Sequence, residues 1–218
     1  MALDARRRQK KVERRHAKQK VKKKVLATRV PHSLAGRMER AATAPLLRCC
    51  TSEALWDDGI APVLLSRELS DRRVAIAVFL VDAYCLGVKD AMSNVIPRSE
   101  YDWKLFGRIF ANQEVVKLTP EFARKLVEGA VDYAADLGLP PHPDYRTAKL
   151  LFGSIDASAC TEEFTFGKDG KPFFLPGPHD NMARCRQIIN ILTERCGPNG
   201  FESVVPISSG AMLLSGDL

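Results

Sequence analysis

The sequence predicts an α+β fold: a mainly antiparallel sheet of about five strands built from two hairpins and a C-terminal strand, covered by four to five helices and preceded by a basic N-terminal arm. Three observations carry that prediction. Paired strand-like segments are interspersed with helical periodicities and do not alternate strictly with them. Val74 to Val81 is apolar on both faces, as a strand in the middle of a covered sheet must be. The cations gather at one end: 13 of the 33 Lys and Arg lie in the first 29 residues, beside only two acids, Asp4 and Glu13. The remaining 189 residues hold 20 bases and 24 acids, so the formal charge of +7 belongs to a tail on a mildly acidic body.

Residues 1–29 form the arm, and residues 30–218 a single α+β domain whose lead-in, 30–58, reads as helical. Ala5 to Val25 contains no Gly or Pro and is built from Ala, Arg, Lys, Gln and Glu, all good helix formers. Ala17, Val21 and Val25 give one thin apolar stripe, and like charges on the other faces oppose a helix. The arm is expected to be disordered or a frayed helix alone, and a continuous helix once an anionic partner neutralises it. Val30-Pro31-His32 ends it.

Ser33 is placed to cap a helix running to about Thr43, and Pro45 breaks it. Leu46, Leu47, Cys49 and Cys50 read as a further helical face. Asp57-Asp58-Gly59 is a turn into sheet. Ile60 to Glu68 and Arg73 to Asp82 make the first hairpin, joined by a short polar connection. Polar groups then gather between Ala83 and Asp90, at the end of the buried strand. Arg98 to Ala111 reads as a helix carrying Tyr101, Trp103, Leu105, Phe106 and Phe110.

Thr119, Pro120 and Glu121 are a cap, a first-turn proline and a dipole-complementing acid. They open a helix with Phe122, Leu126, Ala130, Tyr133 and Ala134 inward, closed by Gly138 and Pro140-Pro141. Asp144 starts another helix, stopped by Gly153. Glu162 to Phe166 and Pro172 to Leu175 read as a second hairpin around Asp169-Gly170, a type I′ signal. Asp180 is expected to cap a helix through Cys196, Phe201 to Ile207 to form the last strand, and the final eleven residues to be loose.

Composition narrows the functional classes. No apolar run approaches the 18 or more residues a spanning helix needs, so no membrane partner is expected. The long basic stretch with no apolar segment after it is not a secretory signal. Six cysteines without a C-x-x-C pair read as reduced, mostly buried thiols of a cytoplasmic protein, or a nuclear one in a eukaryote.

The arm points to a polyanion. Arg6, Arg7, Arg8, Lys10, Lys11, Arg14, Arg15, Lys18, Lys20, Lys22, Lys23 and Lys24 are the expected contacts to a phosphate backbone. Each Lys or Arg that displaces condensed counterions gains entropy, so binding of this kind weakens steeply with salt. No Phe, Tyr or Trp precedes Trp56, so the arm cannot stack on bases; its contacts are backbone-directed and sequence-tolerant. The reading that follows is a non-catalytic nucleic-acid-binding accessory protein, RNA ahead of DNA, within a larger nucleoprotein assembly, using no cofactor and no metal. A scaffold docking its arm on an acidic protein partner is one alternative.

The other alternative is a cysteine-dependent enzyme. A nucleophile is often exposed where a buried strand turns into a helix, which nominates Cys85, with His179 as base and Asp180 as its orienting carboxylate. The plainer reading makes Cys85 a core thiol and His179 a loop residue. Asp82, Lys89 and Asp90 have the residue types of a metal nuclease, but the acid-to-lysine spacing does not put them on one face of a strand, and two-metal chemistry needs more carboxylates. Glu162 and Glu163 fall on opposite strand faces. Lys168-Asp169-Gly170-Lys171 has a single glycine and no following helix, so it is a turn and not a phosphate loop. Cys185 and Cys196 lack a second pair for zinc. His32 and His142, each beside a proline, are loop residues.

Overall fold

The computed structural model describes residues 33–111, 113–178, 180–206 and 212–214. The arm, with its expected contacts from Arg6 to Lys24, lies outside the described residues, as does His179.

The Ser33 side chain accepts the Gly36 N–H at 3.2 Å and starts α1 (Leu34–Ala41). The helical lead-in ends there. Leu46–Ser52 is strand β1, not a second helical face. The Pro45 carbonyl already accepts the Glu68 N–H at 2.9 Å, so sheet pairing begins at the proline. From there Cys49 and Thr51 point to one side of the sheet and Cys50 and Ser52 to the other.

A single turn, α2 (Ala54–Asp57), leads into the expected hairpin of β2 (Ile60–Glu68) and β3 (Arg73–Asp82), with Val63 opposite Phe79 and Leu65 opposite Ala77. Two more strands complete the sheet, neither of them expected. β4 (Gly87–Pro97) pairs with the whole of β3, and β5 (Val115–Lys117) pairs with β1. The order is β4-β3-β2-β1-β5, antiparallel throughout. The α+β class and the five-stranded antiparallel sheet stand, but only the first hairpin contributes to it.

One face of this sheet carries Val63, Leu65, Ala75, Ala77, Phe79 and Val81. It is covered by a 17-residue helix, Pro120–Asp136, whose buried stripe is Ala123, Leu126, Val127, Ala130 and Ala134. That helix starts as expected, with Thr119 Oγ1 accepting the Phe122 N–H at 3.3 Å. Tyr145–Ala148 and the 3₁₀ turn Lys149–Phe152 finish the cover. Phe79 lies between Tyr145, at 6.1 Å, and Phe152, stacked at 5.4 Å. The opposite face, with Cys50, Leu64, Val74, Ile76, Val78 and Ile96, packs under Tyr101 and Phe110. These belong to one helical run made of Arg98–Glu100, a π-helical turn Tyr101–Leu105, and Phe106–Ile109.

The second hairpin reduces to its turn. Asp169 (φ 52°) and Gly170 (φ 81°) are both left-handed, as type I′ demands, and Lys168 and Lys171 exchange backbone bonds of 2.7 and 3.0 Å. The segment before the turn forms no strand. Phe164 and Phe166 instead pack on Phe122 and Tyr133 of the long helix. After the turn, β6 (Phe173–Phe174) runs parallel to β7 (Glu202–Pro206), the expected last strand, which pairs with β8 (Met212–Leu214) inside the tail expected to be loose. The helix Met182–Cys196 is capped by Asn181, whose Oδ1 accepts the Arg184 N–H at 2.9 Å; Asp180 does not cap it. It packs through Cys185, Ile188 and Leu192 against Ala134, Leu137, Phe174 and Phe201. Among the described residues no helix is long and apolar enough to cross a membrane.

Candidate functional site

The chain passes from β3 to β4 through a tight turn, not a strand-to-helix elbow, and this decides the fate of the residues nominated there. Asp82 is buried, and its Oδ1 accepts the N–H of Tyr84 at 3.1 Å and of Cys85 at 2.9 Å. Burial lifts this carboxyl to about 6, against the opposing pull of those N–H groups and the Lys89 charge. Cys85 is fully enclosed, and burial first, then the Asp82 charge, push its thiol above the ordinary range. A nucleophilic cysteine needs access and a stabilised thiolate, so Cys85 has the surroundings of a core thiol. Burial likewise raises Cys49 to about 12 and Cys50 to about 11.

Asp180 is committed elsewhere. Its Oδ2 receives Lys89 Nζ at 2.8 Å and the Gly177 N–H at 2.7 Å. Burial alone would raise this carboxyl, but these two donors and the charges of Lys89 and Arg184 bring it below its usual value. A Cβ on Gly177 would come within 2.8 Å of Lys89 Nζ, so a larger residue there would push the end of the lysine aside. Asp82, Lys89 and Asp90 do not converge: Asp82 holds its turn, Lys89 holds Asp180, and Asp90 faces His142 Nε2 at 3.7 Å. Among the described residues no group of three His, Cys, Asp or Glu side chains could hold a metal ion.

The Lys89–Asp180 pair lines a groove of about 900 Å³ between β4, the loop Leu139–Pro143 and the helix Met182–Cys196. Leu86, Val88 and Ile188 give it an apolar floor, and Arg146 and Arg184 stand at its edge. The His142 N–H donates to the Val88 carbonyl at 3.0 Å and fixes the loop to the sheet edge. His142 Nδ1 accepts the Asp144 N–H at 3.3 Å, which leaves the proton of the neutral ring on Nε2, toward Asp90. The size suits a small ligand, but the two acids offset two of the three cations.

At the other end of the sheet, beside α1, the charge is arranged differently. A cleft of about 450 Å³ is lined by Arg37 and Arg40 of α1 and by Glu68, Asp71 and Arg73 at the strand ends. Arg98 donates from Nη1 to Glu68 Oε1 and from Nε to Asp102 Oδ2, both at 2.7 Å. These ion pairs tie the end of β2 to the helical run on the second face of the sheet. The inward side of that run is well anchored. Tyr101 Oη meets Ser66 Oγ at 2.9 Å, and the Arg48 guanidinium lies 4.3 Å over the Phe106 ring. The π turn closes on the Phe106 N–H to Tyr101 carbonyl bond and so brings both aromatic rings to the sheet.

Trp103, on the outward side, is 87% exposed. Gly107, one turn on, is bare: a Cβ there would meet nothing within 4 Å. Lys104 and Arg108 are exposed and, among the described residues, have no ion-pair partner. The other tryptophan, Trp56, is half exposed at 51%, but its ring is covered on one side, stacked on Phe164 at 6.3 Å and edge-on to Phe122 at 6.4 Å. Sequence reasoning placed Trp103 on this helix without noticing its outward side. The signal was its phase, two residues from Tyr101 and so about 200° round a helix.

No protein-family model, no curated protein and no solved structure matches this chain. What the body offers chemically is therefore read from its own residues: a charge-balanced groove at one end, and at the other a bare indole flanked by unpaired cations.

Proposed function

We propose that the protein is a non-catalytic nucleic-acid-binding accessory protein, RNA ahead of DNA, that grips the phosphate backbone through its basic N-terminal arm within a larger nucleoprotein assembly. One observation carries this reading: 13 of 33 cations sit in the first 29 residues, on a body with more acids than bases. A field so divided draws a polyanion to the arm first. The burial of Cys85 and the engagement of Asp180 by Lys89 weigh against the cysteine-enzyme alternative. The compartment that goes with the reading is the cytoplasm, or the nucleus in a eukaryote.

The test is fluorescence polarisation with a labelled RNA, comparing the full chain with a chain lacking residues 1–29. If about half of the arm's cations engage, full-length affinity falls on the order of a thousandfold between about 50 and 200 mM salt. The shortened chain should lose binding and keep a cooperative melting transition. Salt-sensitive binding retained by the shortened chain would overturn the reading.

A further inference from the structure

We infer that Trp103 is a stacking platform for an unpaired nucleobase, so that the polynucleotide this protein takes is single-stranded where it crosses the body. The inference rests on the arm-mediated reading above and adds to it the class of strand.

A tryptophan this exposed gives up the burial that its large ring would otherwise gain. Neighbouring side chains leave it uncovered: Gly107 adds no Cβ, and Phe106 and Tyr101 turn inward to Arg48 and Ser66. The ring is carried on a π-helical turn, a helix irregularity frequent at functional positions. The turn is anchored beneath by the Tyr101–Ser66 bond, so the platform is held in place.

The electrostatics fit a nucleic acid. Lys104 and Arg108 leave their charges to solvent, and Asp102, the adjacent acid, is already held by Arg98. Stacking on an aromatic ring is sequence-tolerant, because every base has a π-face, but it needs a base freed from its pair. The arm has no Phe, Tyr or Trp, so a large aromatic ring for stacking has to come from the body.

The experiment uses the full-length chain with Trp56→Phe, leaving Trp103 the sole tryptophan, titrated with an oligouridylate of about 12 nucleotides and with an RNA duplex of the same length. Saturation with the single strand should quench Trp103 emission, and the duplex should not. Trp103→Ala should weaken single-strand affinity about five- to a hundredfold and leave duplex affinity and the salt slope unchanged; Trp103→Phe should lose less. Should Trp56→Phe unfold, the emission difference between the native chain and Trp103→Phe gives the same reading.

Unchanged oligouridylate affinity in Trp103→Ala, with unmoved emission, overturns the platform. So does a Trp103→Ala chain whose only change is loss of self-association by light scattering, which would make a second copy the occupant. A full-length chain with Arg6, Arg7, Arg8, Lys22, Lys23 and Lys24 changed to Gln separates the two readings. If it binds with native affinity and salt slope, the arm reading fails, while the quenching still decides Trp103.

Discussion

The two faces of the five-stranded sheet are finished differently. On the first, Val63, Leu65, Ala77 and Phe79 are completely covered, and even a charged residue is turned to internal use. Arg67, 7% exposed, donates Nη1 to the Ala44 carbonyl at 2.6 Å, Nε to Leu151 at 3.0 Å and Nη2 to Phe152 at 3.3 Å, tying the sheet to the helical cover. The second face is covered by the helical run at one end only. Beyond it Met92 and Val115 remain about two-fifths exposed, and Trp103 stands out from the run itself. In this body the first face is closed along its length, and the surface open to a partner lies on the one with the thinner cover.

The largest effect should come from the closed face. Phe79 is enclosed between Tyr145 and Phe152 with no exposed surface. Phe79→Ala removes a full aromatic ring from a site that cannot collapse, and should cost about 3–5 kcal/mol in urea unfolding. Below its lowered melting temperature the variant should bind RNA like the native chain. A cost under about 1 kcal/mol would mean the two faces do not differ as described.

The same contrast explains what could be read from the sequence. The first hairpin and the Pro120–Asp136 helix belong to the closed face, where burial imposes a clean period on Ile60–Glu68, Arg73–Asp82 and the stripe Leu126–Ala130–Ala134. β4 escaped detection because a register shift opposite Leu80 and Val81 breaks its alternation, and its second-face residues Asp90, Met92 and Asn94 are mixed or open. β1 was mistaken for helix because Leu46-Leu47 and Cys49-Cys50 are apolar doublets, which suit either period. Asp169-Gly170 fixed a turn but could not say whether its arms would pair. Phe164 and Phe166 found better burial on the long helix, and Phe173 found a partner in Glu202. Of the candidate surfaces, the polar character of Asp82 to Asp90 was visible, but the Lys89–Asp180 pair joins residues far apart in the chain and leaves no local trace. The outward phase of Trp103 was legible in the spacing.

A second, smaller effect sharpens the comparison at the end of β3. Asp82 has the parity of the second face but is enclosed by its own turn, which lifts its carboxyl from 3.8 to about 6. The folded state therefore holds a proton that the unfolded chain releases. The stability tied to that proton is full below about pH 4, falls as pH rises toward 6, and is absent above it. Asp82→Asn keeps an oxygen for the Tyr84 and Cys85 N–H groups and does not titrate. Its stability relative to the native chain should rise between pH 4 and 6, by about 3 kcal/mol at most. Urea unfolding at several pH values reads this directly, and parallel curves for the two proteins would refute it.

The smallest effect isolates the anchoring of the helical run. Ser66 Oγ donates to the Arg48 carbonyl at 3.3 Å, so the Tyr101 hydroxyl is the donor in its 2.9 Å bond to Ser66. Tyr101→Phe removes that bond, leaves Ser66 still satisfied as a donor, and keeps the ring in the cluster with Phe106 and Phe110. The cost should be about 1 kcal/mol, well below that of Phe79→Ala, because no cavity forms. Because that bond anchors the π turn beneath Trp103, single-strand affinity in Tyr101→Phe should fall together with stability, by less than in Trp103→Ala. Native affinity in this variant would show that the thinner face is held by its packing and not by this hydrogen bond.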